Sequence, residues 1–183
     1  MIRFWRVILF ILISPLISHA EAGKPPSLRP PTNLFAGLGP AFSVSGGAVG
    51  FAQVGGDFFI AGTKNLRFLM GPQANVFFGH GKNLNFGFIG LNLKLSHEKI
   101  LSDNTRLDIY ARMPFQIGFG SSHGSNALGF NMGLHPGFAF YFNNMLGIYT
   151  ELGAQGMIHI LFSERRPPTY LLMNINLGLT FTL

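Results

Sequence analysis

The sequence contains no cysteine, so it offers no disulfide framework, no thiolate metal site, no cysteine nucleophile and no cysteine to carry a lipid. Charge is scarce too. Asp, Glu, Lys and Arg make up 11% of the residues, against about 25% in an ordinary soluble domain. A water-facing surface is hard to cover with so few charges. Beyond the first twenty residues no apolar run reaches the ~18 residues that would cross a membrane as a helix. Any anchoring there must come from strands. The formal charge of +6 is spread thinly, with no basic run or basic–aromatic stripe, which argues against a nucleic-acid partner. The six histidines show no metal-ligand spacing, and no phosphate loop, GxGxxG or GxSxG motif occurs. Neither a metal nor a cofactor is expected.

What is present begins with an address. Arg3 and Arg6 precede an apolar run from Val7 to Ile17, and Ser18-His19-Ala20 puts small residues at the −3 and −1 positions of a cut after Ala20. That order is a secretory signal peptide. The apolar run is about half the roughly 20 residues a spanning helix needs, and Pro15 interrupts it. Removal of residues 1–20 takes the formal charge from +6 to +4. Residues 21–33 hold four prolines, Pro25, Pro26, Pro30 and Pro31, and read as an extended periplasmic tail.

From Leu34 onward the period is two, the period of a strand. Between Arg106 and Gly120, Leu107, Ile109, Ala111, Met113, Phe115, Ile117 and Phe119 alternate with Asp108, Tyr110, Arg112, Pro114, Gln116 and Gly118. The segments 127–142, 146–162 and 170–183 sort in the same way, and the apolar faces of all four carry no charge. Strands are read at 34–45, 51–62, 67–79, 85–95, 106–119, 127–142, 146–162 and 170–183. In the fourth, Phe86 and Phe88 share a face with Leu91, Leu93 and Leu95 only if a β-bulge enters near Ile89-Gly90.

A soluble barrel would show the same alternation with the apolar side inward. Segment length and the glycine- and asparagine-rich opposite face favour the apolar side facing lipid. A sheet in lipid must close to satisfy its edges. The expected fold is all-β: an eight-stranded antiparallel transmembrane β-barrel over residues 34–183, with short turns and both ends periplasmic. The connections expected at the outer side are 46–50, 80–84, 120–126 and 163–169; those at the periplasmic side are 63–66, 96–105 and 143–145. Phe78, Phe86, Phe119, Phe130, Phe162 and Tyr170 would then ring the outer rim, and Phe68, Phe140, Phe142 and Phe181 the inner one.

The run from Asn176 to Leu183, with Asn176, Gly178, Phe181 and Leu183 as its marks, resembles the terminal insertion signal of outer-membrane barrels, although Leu183 stands where Phe is commoner. The barrel-insertion machinery is the partner this implies. In organisation the whole of 34–183 resembles the small OmpA/OmpX-like and opacity-type barrels of Gram-negative bacteria. That resemblance implies an integral outer-membrane location, contact with membrane lipids and lipopolysaccharide, and a monomer.

Inside such a barrel Asp57, Lys94, Asp108, Arg112 and Glu151, with His135 and Gln155, are expected to form a polar network, because paired charges avoid the cost of an isolated buried ion. A proton path or an acid/base pair of His135 and Glu151 is the functional alternative. The segment His123-Gly124-Ser125-Asn126-Ala127 is similar to the His-x-Ser-Asn-Ala segment of PagL-type lipid A deacylases, which implies His123 as base and Ser125 as nucleophile. The match covers five residues between the fifth and sixth strands, and Gly137 stands where an orienting Glu would be. Ordinary loop composition accounts for it better, and no residue is assigned as catalytic. The expected role is structural or interaction-based, without an open pore and non-enzymatic; the alternatives are a lipid A-modifying serine esterase and a narrow channel.

The leader yields a direct expectation. The protein recovered from membranes should begin at Glu21 by intact mass, and a chain that still begins at Met1 would contradict cleavage.

Overall fold

The computed structural model describes residues 32–44, 47–63, 66–79, 84–122, 125–161 and 169–183. The leader and nearly all of the proline-rich tail lie outside the described residues. Eight strands follow one another: β1 Asn33–Ser43, β2 Ala48–Gly62, β3 Leu66–Phe78, β4 Asn85–Ile100, β5 Arg106–Ser122, β6 Ser125–Tyr141, β7 Leu146–Leu161 and β8 Thr169–Thr182. Each pairs antiparallel with its neighbours in sequence, and β1 pairs with β8, so the sheet is a closed barrel. Asn33 faces Thr182 across that seam, which puts both ends of the barrel at one rim.

The ring is sheared. Passing from partner to partner, Leu179 leads to Ala36, Val54, Ala74, Ile89, Ile117, Phe130 and Ile158, and the path re-enters β8 at Thr169, ten residues before it started. Such a stagger tilts the strands and sets the bore of an eight-stranded barrel to a width that side chains fill. These partners form an apolar stripe around the outside: Val54, Ile89, Ile117, Phe130, Ile158 and Leu179 are all exposed.

The alternation has the membrane sense. Leu38 is 70% exposed, and the outward side chains are mostly Leu, Ile, Val, Phe and Met, whereas Gln53, Asn75, Lys94, Arg112, His135, Glu151 and Asn174 are buried within. A soluble fold would reverse this distribution. Phe78, Phe119 and Phe130 stand outward towards one rim and Phe68, Phe142 and Phe181 towards the other. These are the aromatic belts of a membrane barrel.

The structure corrects the reading of the first half. The β3–β4 and β4–β5 ladders run without a shift from Leu66 to Phe78 and from Asn85 to Ile100, so β4 has no bulge. Phe86 and Phe88 simply point inward, in phase with Asn92 and Lys94. An aromatic side chain fills lumen as readily as it meets lipid, so hydrophobicity alone did not fix its side. Tyr170 likewise turns inward, away from the rim expected for it, and Phe162 lies outside the described residues. The bulge belongs to β2, where Phe59 pairs with Leu69 and Ala61 with Phe68, leaving Ile60 as the extra residue. Two expected connections are shorter than their composition suggested. Ser96–Ile100 continue β4 because Ser96 and Glu98 turn inward and the backbone stays paired to β5; Gly120 and Ser121 pair with Ala127 and Asn126. At the β1–β2 connection Gly47 has φ 99°, a conformation open to glycine, and its carbonyl accepts from the Ser43 N–H at 3.0 Å.

The outward sense of the apolar face predicts a depth-dependent penalty. Leu91→Arg, at an outward position halfway along β4, should destabilise the barrel in lipid vesicles by about 2–4 kcal/mol, whereas Asn85→Arg at the rim should cost about 0–1 kcal/mol, read by denaturant unfolding.

Candidate functional site in the barrel lumen

The inward positions are layered along the barrel axis. At the end remote from Asn33 and Thr182, an apolar cluster closes the bore: Ala41, Phe51, Phe77, Leu84, Phe86 and Phe88, with Met157, Tyr170 and Leu172. His159 is stacked in it, its ring 4.1 Å from that of Phe86 at an interplanar angle of 4°, with Tyr170 at 5.1 Å on its other contact.

Next comes a belt of amides. Gln73 Nε2 donates to Gln53 Oε1 at 3.0 Å and to Asn75 Oδ1 at 2.8 Å. Asn75 Nδ2 donates to Gln116 Oε1 at 2.8 Å, which also accepts from Asn131 Nδ2. Asn131 Nδ2 donates in turn to Gln155 Oε1 at 2.9 Å, and Gln155 Nε2 donates to Asn174 Oδ1 at 3.0 Å. One chain of bonds thereby links β2, β3, β5, β6, β7 and β8 across the bore.

Below the belt lies the charge cluster. Arg112, on β5, donates through Nη1 to Glu151 Oε1 on β7 and through Nη2 to Asp57 Oδ2 on β2 at 3.0 Å. Lys94, on β4, donates to Asp108 Oδ2 at 2.9 Å and stands 3.4 Å from Asp57 Oδ2. Ser96 donates to the other Asp108 oxygen. Glu151 also accepts from Tyr110 at 3.0 Å and from Gln53 at 2.6 Å. The Arg112 guanidinium lies 3.7 Å over the Phe35 ring, so one side chain ties β1, β2, β5 and β7 together. Tyr149 fits in because Gly178 on the adjacent β8 and Gly37 on β1, one strand further, have no Cβ: one placed there would run into its ring or hydroxyl. At the rim with the chain ends, Arg67 pairs with Glu98, and Arg106 donates to Thr182, which donates to Asn33 Oδ1 at 2.8 Å.

Of the residues singled out in the sequence, Asp57, Lys94, Asp108, Arg112 and Glu151 meet directly. His135 is fully buried beside them, its Nδ1 3.7 Å from Glu151 Oε2. Gln155 sits one layer away, in the amide belt. Asn176 turns inward, its Nδ2 3.3 Å from the Tyr149 hydroxyl, and Gly178 faces Gly37 across the seam; Phe181 and Leu183 are outward. His123 lies outside the described residues, as does the side chain of Ser125. The amide belt and the apolar cluster went unread in the sequence. Their signal was parity: Gln73 and Asn75 share a face with Phe77, as Asn92 and Lys94 do with Phe86.

Each carboxylate of the cluster accepts from at least one protein donor, so the arrangement braces the wall, while Asp57 Oδ1 and the two ring nitrogens of His135 are buried without a hydrogen-bond partner. Among the described residues no group of three His, Asp or Glu could hold a metal ion. Removing one partner of such a buried set leaves an uncompensated charge. Arg112→Met should therefore cost about 3–5 kcal/mol in denaturant unfolding, and the double variant Arg112→Met with Glu151→Gln should cost clearly less than the two single changes together.

No protein-family model and no curated protein matches the chain. Solved structures do. Neisserial surface protein A is similar over 84% of this chain and 96% of its own, at 11% identity and a TM-score of 0.51. The N-terminal β-barrel domain of Pseudomonas aeruginosa OprF covers 83% of this chain and 97% of its own at 10% identity, with a TM-score of 0.45. The outer-membrane enzyme PagL covers 81% and 97% at 14% identity, with a TM-score of 0.47. At 11% identity the likeness to Neisserial surface protein A is one of fold. Joined to the outward apolar face and the closed ring, it gives the architecture: this chain has the fold of the small eight-stranded outer-membrane β-barrels.

Proposed function

We propose that the chain is an integral protein of the bacterial outer membrane, exported by its leader and delivered through its last strand to the barrel-insertion machinery. It serves there as a monomer in a structural or interaction role, without an open pore and without catalysis. The observation that carries the reading is the side-chain-filled bore, in which, among the described residues, an apolar cluster, an amide belt and a charge cluster succeed one another along the axis. An ion entering from the end remote from the chain termini would have to part Phe51, Phe77, Phe86 and Leu172, which offer it no ligand, beside the one stacked imidazole of His159. Its neighbours are the acyl chains of the membrane and, at the outer rim, lipopolysaccharide. A ring without free edges has no strand left to share with a second copy.

The proposal is tested with the purified, folded barrel in planar bilayers. Silent membranes are the expected result, and discrete conductance steps would overturn the closed-bore reading in favour of a narrow channel. Expression in an outer membrane should leave the lipid A acylation pattern unchanged; loss of an acyl chain that disappears again in Ser125→Ala would instead make the chain a serine esterase.

A further inference from the structure

The lipid-facing wall is not evenly filled. Across β5 to β8 it holds an apolar groove of about 660 Å³ bordered by Ile109, Pro136, Phe138, Thr150, Leu152 and Ile175. Its cause is local. Pro136 and Thr150 are short outward side chains, and Ala111, the partner of Pro136 on β5, is shorter still. The β6–β7 ladder is interrupted at the same place: Leu134 pairs with Ala154 and Gly137 with Glu151, while Pro136, which has no N–H, interrupts the pairing between them. Phe138, Leu152, Ile109 and Ile175 rise around this depression as its walls. Glu151 underlies it with its carboxylate turned away, towards Arg112 in the bore.

We infer that this groove seats one hydrocarbon chain of a membrane phospholipid, selected by length and shape and not by headgroup. The lining is almost wholly apolar and the groove is continuous with the outward belt of Leu, Ile and Phe, so the medium that covers the belt also covers the groove. Hydrocarbon is as apolar as the wall, so a chain is held there by the extra dispersion contacts of a concave seat, not by exclusion from water. The groove lies in the half of the wall nearer the chain ends, because β5 enters the sheet at Arg106, just before Leu107 and Ile109. The inference rests on the membrane-embedded reading of the barrel, and the experiment separates the two.

The test uses the purified full barrel in detergent, with native mass spectrometry after addition of phosphatidylethanolamine or phosphatidylglycerol of matched acyl chains. One retained lipid is expected with either headgroup, and shorter chains should be retained less. Thr150→Trp fills the seat and should lower retention about tenfold, because the indole takes the place of the chain in the concave contacts. Thr150→Leu should lower it by a smaller factor, and Ile89→Trp, on the outward face of β4, should leave it unchanged. Retention that survives Thr150→Trp and Thr150→Leu, that follows the headgroup, or that gives way to a dimer would overturn the inference. Heat-modifiable migration on a gel reports folding of each variant. A folded barrel that keeps no lipid refutes the seat alone, whereas recovery of the protein in the soluble periplasmic fraction refutes the membrane reading itself.

Discussion

Hydrocarbon offers a peptide group no hydrogen-bond partner, and almost everything in this molecule follows from that single constraint. Each strand must find both its neighbours, so the first must meet the last, and the β1–β8 seam is the condition for the other seven ladders to be tolerable in a membrane. Closure in turn creates an interior. Once the apolar side chains are committed to the outside, the remaining half of each strand has only the other strands' inward residues for company, and those must saturate one another.

The bore answers that demand with three different chemistries, although some buried polar atoms, Asp57 Oδ1 and the ring nitrogens of His135 among them, have no hydrogen-bond partner. The charges collect where Tyr110 and Gln53 can complete the coordination of Glu151, and where Phe35 can cover the face of Arg112. The amides bridge between strands with side chains that both donate and accept, which lets one chain of bonds cross the lumen without leaving a net charge. The aromatics occupy the remaining end, two of them resting on glycines of the adjacent strand: Phe88 over Gly118 and Phe86 over Gly120. These layers differ in polarity but share a mechanical role, since each joins strands that are not neighbours in the sheet.

The architecture was legible because its signal is binary. In β5 to β8 every charge falls on one parity and nearly every large aliphatic residue on the other, Met157 and Leu172 being the inward exceptions. Legibility failed where a residue type serves both sides. Phe86 and Phe88 resemble lipid-facing residues, and keeping their neighbours Leu91 and Leu93 on the same side seemed to require a bulge. Holding a single phase through β4 would have grouped them with Asn92 and Lys94, which is what the fold does. The charge cluster could be anticipated from parity and the cost of burying unpaired ions. Its geometry could not, because it depends on the stagger of the sheet, which decides that Arg112 reaches Asp57 on β2 and Glu151 on β7 at once.

The first strand is the shortest, at 11 residues. Its ladder to β8 is interrupted at Pro40, which has no N–H to give: Leu38 faces Leu177 and Ala41 faces Asn174, with the positions between them unpaired. A hoop under lateral stress parts at its thinnest stave. Here that stave is also pinned from within, by Phe35 beneath Arg112 and by Asn33 at Thr182, so the resistance of the wall to sideways parting draws on side chains of the bore as well as on the backbone of the seam.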